Sequence, residues 1–416
     1  MRLVRILPLL LGTTLLAESP KPQGSLTTWE KIAKAKEVLR IEEPKPIYAS
    51  RKGKATLVGK ESLRALERPD GTFHVVRIRL LFVRRGKNID TAVQSVYPEF
   101  CAAERINGGG VNASYRVLCD GVEETVFAGK DLNSRGKEIT GPDGKPECYV
   151  PYSDALATPE VVEAGRAYLK KQISLAANEL RAQRVHSRGI PGKLVADVFQ
   201  EKMLYDLAVI EHVDHKEFYD ESTGKLPENY TQEKVLAQLS LNGPEAFFYS
   251  KSKIRGTTAG ALCLMQIMPS TYNDRKEKRT GKIRKGIRSS YPEARLPLSA
   301  QEGSCGSHAS AIKTAYLVLD SKLSAMQPEF KRLFAEDPET YGVYLAVAYN
   351  GGEVRARNLF AKTRNPAFKL KEILNDLFRT LGLKKERQKL SVLRQETWIY
   401  IKKYFELSNI PDANGE

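Results

Sequence analysis

The chain has 416 residues and a formal net charge of +16, with 41% hydrophobic and 28% charged residues. This length is sufficient for two or three folded domains, and the composition excludes a chain that is disordered throughout. The excess of Lys and Arg favours polyanionic partners.

The first 17 residues have the layout of a secretory signal peptide. Arg2 and Arg5 precede an apolar run that ends at Leu16, and Ala17 follows. The run is too short to span a bilayer as a mature helix. We therefore predict an exported protein that is soluble in the periplasm or cell envelope after cleavage, the alternative being an uncleaved membrane anchor. Residues 18–45 are polar and are predicted to form a linker or a short helix.

Residues 46–150 are predicted to form a small β-rich accessory domain. Apolar side chains occupy every second position from Val76 to Phe82, which indicates a strand over residues 73–84 with one buried face. Further strands are predicted over residues 115–119 and 122–127.

Helices are predicted to dominate the rest of the chain. Thr158, Pro159 and Glu160 form a helix start, because a hydroxyl caps the first turn, proline fits it and an acid complements the dipole. This helix is expected to run to about residue 185, and a second helix over residues 193–212. The predicted segments are a helical connector at 158–230, a domain at 231–407 and a tail at 408–416, so the predicted fold class is α+β multidomain, with an all-α C-terminal domain.

Five cysteines are present, and an exported chain can form disulfides. An odd number leaves at least one cysteine unpaired within the monomer. A bridge among Cys101, Cys119 and Cys148 is compatible with their spacing, as is a bridge between Cys263 and Cys305. No cysteine or histidine spacing typical of a zinc site is present, and no metal site is predicted.

The segment GALCLMQIMPST, at residues 260–271, is the most informative part of the chain. Glu245 precedes it in PEAFFYSKS, and the segments AVAYNGG (346–352) and QETWIYIKKY (395–404) follow it. These blocks, in this order, resemble the soluble lytic transglycosylase domain, a goose-lysozyme-like fold. The family pattern is E-S-x-F, then G-A-x-G-L-M-Q-x-M-P-x-T, then A-Y-N-x-G, then E-T-x-x-Y-V. The resemblance covers about residues 233–407 and implies a lysozyme-like C-terminal domain.

The resemblance also implies an activity, which is cleavage of the bond between N-acetylmuramic acid and N-acetylglucosamine in peptidoglycan. Family members use one glutamate, first as an acid toward the leaving oxygen and then as a base toward the primary hydroxyl of the same sugar. The product carries a 1,6-anhydro end, and no metal or organic cofactor is needed.

Glu245 is the predicted catalytic glutamate, because it stands where the family has E-S-x-F. Ala246 replaces the serine, and the spacing to Gln266 (266 − 245 = 21) is longer than in the family. Glu211 is the competing acid, since it also follows an apolar helical run. Its distance from Gln266 (266 − 211 = 55) favours the interpretation of Glu211 as an acid in a helix upstream of the cleft.

By resemblance, four further residues are predicted to line the substrate cleft, while others shape it. Cys263 occupies a position where the family has glycine, which could perturb the turn or form a disulfide. His308 is interpreted as a histidine at a helix start or in the core. The predicted substrate-binding residues are Met265, Gln266, Tyr349 and Tyr400, and the predicted structural residues are Gly260, Ala261, Asn350, Gly351 and Glu396.

The predicted partner is the peptidoglycan glycan strand. A basic stretch at residues 251–288 is interpreted either as a lip that attracts anionic wall polymers or as a solvated loop. Contacts with other envelope proteins or with a membrane surface are compatible with the charge. Nucleic acid is a disfavoured partner, because export separates the protein from most nucleic acid. The rival functions are a lysozyme-like hydrolase, a catalytically impaired peptidoglycan-binding module and a basic nucleic-acid binder.

Overall fold

The computed structural model describes most of the chain. The predicted signal peptide, residues 1–17, lies outside the described residues. The described ranges are 26–51, 53–85, 88–107, 113–141, 147–213, 232–248, 251–253, 260–277, 280–363 and 392–408.

The N-terminal part consists of one helix and two antiparallel sheets. The larger sheet has the strand order β4-β3-β2-β8-β9, with β1 also paired to β2, and the smaller has the order β5-β6-β7. Strand β2 is long enough to pair with β1, β3 and β8 in turn. The elements are α1 (Thr28–Arg40), β1 (Pro46–Arg51), β2 (Lys54–Glu67), β3 (Phe73–Arg85), β4 (Asn88–Tyr97), β5 (Cys101–Asn107), β6 (Ser114–Cys119), β7 (Val122–Glu124), β8 (Val126–Asp131) and β9 (Cys148–Tyr149).

The larger sheet is covered on both faces. Leu63 and Ala65 of β2 belong to the core that includes α1, while Val76 and Ile78 of β3 belong to a second core with Val117 of β6. Successive residues of a strand point to opposite faces, so β2 and β3 can serve two cores at once. The strand predicted over residues 73–84 is confirmed as part of β3. The predicted alternation holds from Val76 to Leu80, whereas the residues at positions 81–83 are all half-buried.

The C-terminal part is mostly helical, with two short hairpins, β10–β11 and β12–β13, inserted among the helices. The α+β multidomain fold class is thereby confirmed. The elements are α2 (Pro159–Ala182), α3 (Val195–Val198), α4 (Glu201–Ile210), α5 (Glu233–Asn242), β10 (Lys251–Lys253), β11 (Gly260–Leu262), α6 (Pro269–Tyr272), β12 (Arg275–Lys276), β13 (Ile283–Arg284), α7 (Ile287–Ser290), α8 (Ala300–Cys305), α9 (His308–Ser324), α10 (Pro328–Glu336), α11 (Pro338–Gly351), α12 (Glu353–Thr363) and α13 (Val392–Ser408).

Two helix predictions have different outcomes. Helix α2 begins as predicted, because the Thr158 side chain accepts a hydrogen bond from the Val161 N–H and Pro159 occupies the first turn. The single helix predicted over residues 193–212 is wrong. Phe199 is extended (φ −111°, ψ 131°) and buried, and it separates α3 from α4.

The two parts are joined by hydrogen bonds at the end of β9. The Asn242 side chain accepts from the Val150 N–H (2.8 Å) and donates to the Val150 carbonyl (3.0 Å). The Tyr149 hydroxyl donates to Gln238 (3.1 Å). Because α5 carries both Gln238 and Asn242, the β-rich part is attached directly to this helix.

The structure resolves the disulfide alternatives. Cys101 pairs with Cys119 between β5 and β6, and Cys263 pairs with Cys305 between the GALCLMQIMPST segment and α8. Cys148 is the unpaired and buried cysteine. Within the described residues, every helix is too short or too polar to cross a bilayer.

Candidate functional site

The GALCLMQIMPST segment forms a strand, a four-residue turn and a short helix. Leu262 and Ile267 exchange backbone hydrogen bonds of 3.1 and 3.2 Å, which closes a turn over residues 263–266. Cys263 (φ 53°) and Gln266 (φ 45°) both have left-handed backbone, a conformation that costs energy for residues other than glycine. Gly260 and Ala261, which were predicted to be structural residues, lie in strand β11 before the turn.

The turn is held by its own side chains. The Gln266 amide donates to the Cys263 carbonyl (2.7 Å), and the Cys263–Cys305 disulfide fixes the start of the turn against α8. Met265 is fully buried in the core. The structure therefore gives Gln266 and Met265 structural contacts, while their predicted roles toward a substrate stay predictions.

Tyr349 connects the turn to helix α11. Its hydroxyl donates a 2.6 Å hydrogen bond to the Met265 carbonyl. Burial, and then the negative charge of Glu211, raise the pKa of Tyr349 well above its usual value. The phenol therefore stays protonated and serves as a hydrogen-bond donor next to Glu211.

Glu211 is the residue on which the predicted tyrosines converge. It ends helix α4 and is half-buried, and the Tyr400 hydroxyl of α13 donates to its Oε1 (2.8 Å). Burial raises the pKa of Tyr400 strongly. The charge of Glu211 and the nearby Tyr349 raise the pKa of Tyr400 further. We call Glu211, Tyr349 and Tyr400 the Glu211 cluster. Its members are far apart in sequence, with 189 positions between Glu211 and Tyr400.

His212 fixes the backbone beside Glu211. Its Nε2 donates to the Leu264 carbonyl (2.8 Å), and its ring stacks on Phe247 with 3.8 Å between centroids. Burial lowers the pKa of His212 to about 4, so the ring is neutral near pH 7. The histidine therefore ties the end of α4 to the GALCLMQIMPST turn without adding a charge.

Glu245 lies in a different environment. It ends a short 3₁₀ turn, Gly243–Glu245, and is half-buried. Burial raises the pKa of Tyr168 of α2, and the Glu245 charge raises it further. Burial also raises the pKa of Tyr149, and the Glu245 charge adds to that shift. Glu211, in contrast, is the acid whose charge acts on Tyr349 and Tyr400. The structure thus brings the predicted tyrosines to Glu211, the residue that the sequence spacing had disfavoured.

The turn after Glu245 is held by a buried histidine. His308 begins α9, and its Nε2 donates to the Ala246 carbonyl (2.7 Å), while Nδ1 accepts from the Tyr168 hydroxyl (3.0 Å). Burial lowers the pKa of His308, in agreement with this neutral tautomer. The interpretation of His308 as a histidine of the core and a helix start is confirmed.

The AVAYNGG segment ends helix α11. Asn350 is half-buried, and a side chain at Gly351 would contact Arg355 and the Thr397 hydroxyl at about 3.1 Å or less. The next residue, Gly352, has φ 88°, which ends the helix. Asn350 and Gly351 lie within the last turn of α11, and their predicted structural roles stay predictions. Glu396 lies in α13, but its side chain is outside the described part of the chain.

A groove of about 320 Å³ opens beside these motif segments. It begins where the GALCLMQIMPST segment ends, at Ser270 and Thr271, and where helix α11 ends, at Gly351 and Gly352. Four positive side chains and one carboxylate line it, and we call it the basic groove. The charged residues are Arg275, Arg284, Lys285, Lys322 and Glu353.

Within the described ranges, one group of three potential metal ligands lies close together. His74, Cys119 and Glu124 place one ligand atom each within 4.8 Å of one another. Cys119 is consumed by its disulfide, and His74 Nε2 bonds Glu124 at 2.5 Å. This donor set lacks the thiolate that a metal would need from Cys119.

Comparison of the chain with protein-family models, curated proteins and solved structures gives no match.

The Glu211 cluster was missed at the sequence level because several elements separate Glu211 from the turn along the chain. Helix α5 and the 3₁₀ turn that carries Glu245 lie between them along the chain. The available signal was the position of Glu211 at the end of an apolar helix. The prediction relied on the number of residues between each acid and Gln266 instead of on this signal. Residues inserted between two elements, however, need not separate those elements in space.

Proposed function

We propose that the protein is a peptidoglycan lytic transglycosylase in which Glu211 is the catalytic acid and base. The single observation that carries this proposal is the hydrogen bond that the Tyr400 hydroxyl donates to the Glu211 carboxylate. Both tyrosines come from blocks that resemble the family, and the turn of the GALCLMQIMPST block contacts Tyr349 through the Met265 carbonyl.

Glu211 has the properties that proton transfer to a glycosidic oxygen requires. It is half-buried at the C-terminal end of α4, where the negative end of the helix dipole disfavours a negative charge. The Tyr400 hydroxyl compensates by donating to Oε1 and orienting the carboxyl group. These opposing influences suit a group that must be protonated in one step and ionised in the next.

In the proposed reaction, Glu211 protonates the oxygen between N-acetylmuramic acid and the following N-acetylglucosamine. The bond from the anomeric carbon to that oxygen breaks, and the substrate's N-acetyl carbonyl supports the positive charge. Glu211 then accepts the proton of the primary hydroxyl on the muramic acid as this oxygen bonds to the anomeric carbon. Atoms and charges balance without a cofactor, and the product has a 1,6-anhydro end.

The other parts of the proposal follow from the substrate. Export to the periplasm or cell envelope is included because peptidoglycan lies there, and the C-terminal domain is proposed to be lysozyme-like. Glu245 is replaced in the catalytic role because its charge acts on Tyr149 and Tyr168 instead of on the Glu211 cluster.

The test compares Glu211→Gln with Glu245→Gln on purified peptidoglycan, with released muropeptides identified by mass spectrometry. A positioned general acid contributes about 10²–10⁴ in rate, so Glu211→Gln should lose at least about 100-fold in turnover. Glu245→Gln should keep activity within about threefold, because Glu245 lies outside the Glu211 cluster and Gln has nearly the same size. Thermal unfolding of all three proteins serves as the control for folding.

The products and the variants distinguish the rival functions. Anhydro ends support transglycosylation, whereas reducing ends identify a hydrolase and contradict the proposed second step. Loss of activity in Glu245→Gln alone returns the catalytic role to that residue. Binding of peptidoglycan without any released muropeptide, unchanged by either substitution, identifies a non-enzymatic binding module.

A further inference from the structure

The basic groove presents two cations that have no ion-pair partner within the described residues. Glu353 accepts from Lys322 Nζ (2.7 Å) and from Arg284 Nη2 (3.1 Å), so its charge is already engaged. Arg275 and Lys285 are exposed and form no ion pair with any described residue. The groove therefore has a surplus of positive charge that is available to a ligand.

The register of the hairpin places two of these cations opposite each other. Arg275 of β12 and Arg284 of β13 are cross-strand partners, and both line the groove. Like charges in directly opposite positions destabilise an antiparallel pair. Glu353 already offsets the charge of Arg284, so Arg275 is the member of this pair whose charge an anion in the groove would neutralise.

The base of the hairpin is built to hold this arrangement. Asp274 accepts from the Gly286 N–H (2.7 Å) and thereby joins the two ends of the hairpin. A side chain at Gly286 would lie 2.4 Å from backbone atoms of Tyr272 and Asn273, so the segments approach as closely as glycine allows. The hairpin thus has a close-packed base beneath its charged groups.

The groove is continuous in sequence with the Glu211 cluster. Gly351 and Gly352 follow Tyr349 within three residues, and Ser270 and Thr271 follow the turn that receives the Tyr349 hydroxyl bond. Its volume of about 320 Å³ is at the small end of the range for ligand pockets. The two segments that carry Tyr349 and its hydrogen-bond acceptor therefore also supply part of the groove lining.

We propose that the basic groove binds the carboxylates of the peptide stem carried by the glycan strand that is cleaved at the Glu211 cluster. This inference rests on the proposed function for the identity of the strand. Arg275 and Lys285 are the principal contacts, and the Arg275 guanidinium can bind a carboxylate through two parallel hydrogen bonds. The hydroxyls of Ser270 and Thr271, which also line the groove, can add neutral hydrogen bonds.

The experiment measures binding with catalysis removed. In a Glu211→Gln background, calorimetry at low salt compares soluble glycan strands that carry peptide stems with the same strands after an amidase has removed the stems. The groove variant adds Arg275→Gln and Lys285→Gln. The matched control adds Lys276→Gln and Lys282→Gln, which remove the same amount of charge from the same hairpin. Neither lysine lines the groove.

We expect the parent protein to bind stem-bearing strands at least about tenfold more tightly than stripped strands, which corresponds to about 1.4 kcal/mol. In the groove variant this ratio should fall to near one, and in the matched control it should stay as in the parent. An equal ratio in all three proteins overturns the proposal. An equal loss in the two charge variants also overturns it, because it indicates a general effect of charge.

Two further measurements separate this proposal from its neighbours. If soluble polyglycerol phosphate binds the parent more tightly than stem-bearing strands do, the groove is a site for phosphodiester polymers and the carboxylate proposal is wrong. Product analysis of the wild-type protein tests the function separately. Absence of cleavage together with a stem-dependent affinity contradicts the transglycosylase and retains the groove as a peptidoglycan-binding site.

Discussion

The β-rich part and the helical part each contain a polar cluster built around a carboxylate, and the two clusters differ in what surrounds it. Asp131, at the end of β8, is buried and pairs with the buried Arg64 at 3.0 Å, while Ser62 donates to its other oxygen at 2.5 Å. Glu211, at the end of α4, is half-buried and accepts a hydrogen bond from the Tyr400 hydroxyl at 2.8 Å.

This difference separates a cluster that holds the fold from one suited to chemistry. A buried carboxylate that pairs with a buried arginine links strands β2 and β8 of the larger sheet. A half-buried carboxyl held by neutral donors can exchange a proton as a substrate arrives. A buried polar cluster is therefore not by itself evidence of a functional site. The chemical type of the carboxylate's partner and its exposure to solvent distinguish the two cases.

The largest expected effect tests the structural side of the comparison. Arg64→Ala leaves Asp131 as a buried charge without its arginine, and breaking such a pair costs about 3–5 kcal/mol. We expect urea unfolding to show this loss of stability, with normal activity in the fraction that remains folded. Glu211→Gln should show the reverse pattern, with unfolding within about 0.5 kcal/mol of the wild type and activity lost. Equal stability losses in the two variants would contradict the distinction.

The two disulfides extend the comparison to covalent links. The Cys263–Cys305 bridge closes a loop with a separation of 42 residues, and its removal should cost about 2–4 kcal/mol. Because it holds the turn that contacts Tyr349, activity should fall as well. Removing Cys101–Cys119 should weaken the β-rich part and leave the activity of the folded protein unchanged. The measurements are thermal unfolding and turnover of the paired Cys→Ser variants.

A refinement of the same experiment isolates the backbone of the turn. Cys263 has φ 53°, which glycine adopts without the cost of about 1–2 kcal/mol that a side chain carries. Cys263→Gly with Cys305→Ser should therefore be more stable than the variant with serine at both positions. If the two variants are equally stable, the left-handed backbone at residue 263 is not under strain.

The sequence was sufficient for features that depend on local patterns. The start of α2 follows from Thr158 and Pro159, and strand β3 follows from the alternation around Val76 and Ile78. The fold class follows from the change between these two periodicities. Each of these features is determined by residues that lie within a few positions of one another.

Features that depend on distant contacts were not available from the sequence. The convergence of Tyr400 on Glu211 joins residues separated by 189 positions, and no local pattern encodes it. The break at Phe199 is also tertiary in origin, because this side chain packs against Tyr316 and Phe334. Glu245 was predicted as the catalytic acid from the number of residues that separate it from Gln266. Inserted elements such as α5 change that number without changing which residues meet in space.

A smaller effect concerns pH and the histidine beside Glu211. Burial lowers the pKa of His212 from 6.5 to about 4, so the unfolded chain binds more protons between these values. Stability should therefore fall as the pH drops from about 6.5 to 4, by about 1–3 kcal/mol for this group. His308, whose pKa burial also lowers, acts in the same direction. Asp206 opposes them, since burial raises its pKa to about 6 and its contribution is lost as the pH rises through that value.

The contribution of His212 can be isolated by difference. His212→Gln keeps an amide donor for the Leu264 carbonyl but cannot take up a proton in this range. Urea unfolding at pH 7 and pH 4.5 should therefore show a smaller change in stability for His212→Gln than for the wild type. Identical pH dependence in the two proteins would mean that the His212 ring is not buried as a neutral group.

The smallest expected effect is on Tyr400, and it tests whether the Glu211 cluster acts through its hydrogen bonds. Tyr400→Phe removes the hydroxyl that donates to Glu211 Oε1 and keeps the buried ring. A hydrogen bond to a charged group contributes about 1.5 kcal/mol or more, so kcat/KM should fall about tenfold. Because the lost bond favours the ionised carboxyl, the decline of the rate toward high pH should move to higher pH. Tyr404→Phe is the matched control, since Tyr404 lies one turn further along α13, is equally buried and has its hydroxyl beside Gly342. A shifted pH profile in Tyr400→Phe but not in Tyr404→Phe identifies Tyr400 as a positioning residue for Glu211, whereas equal losses without a shift would reduce it to a packing role.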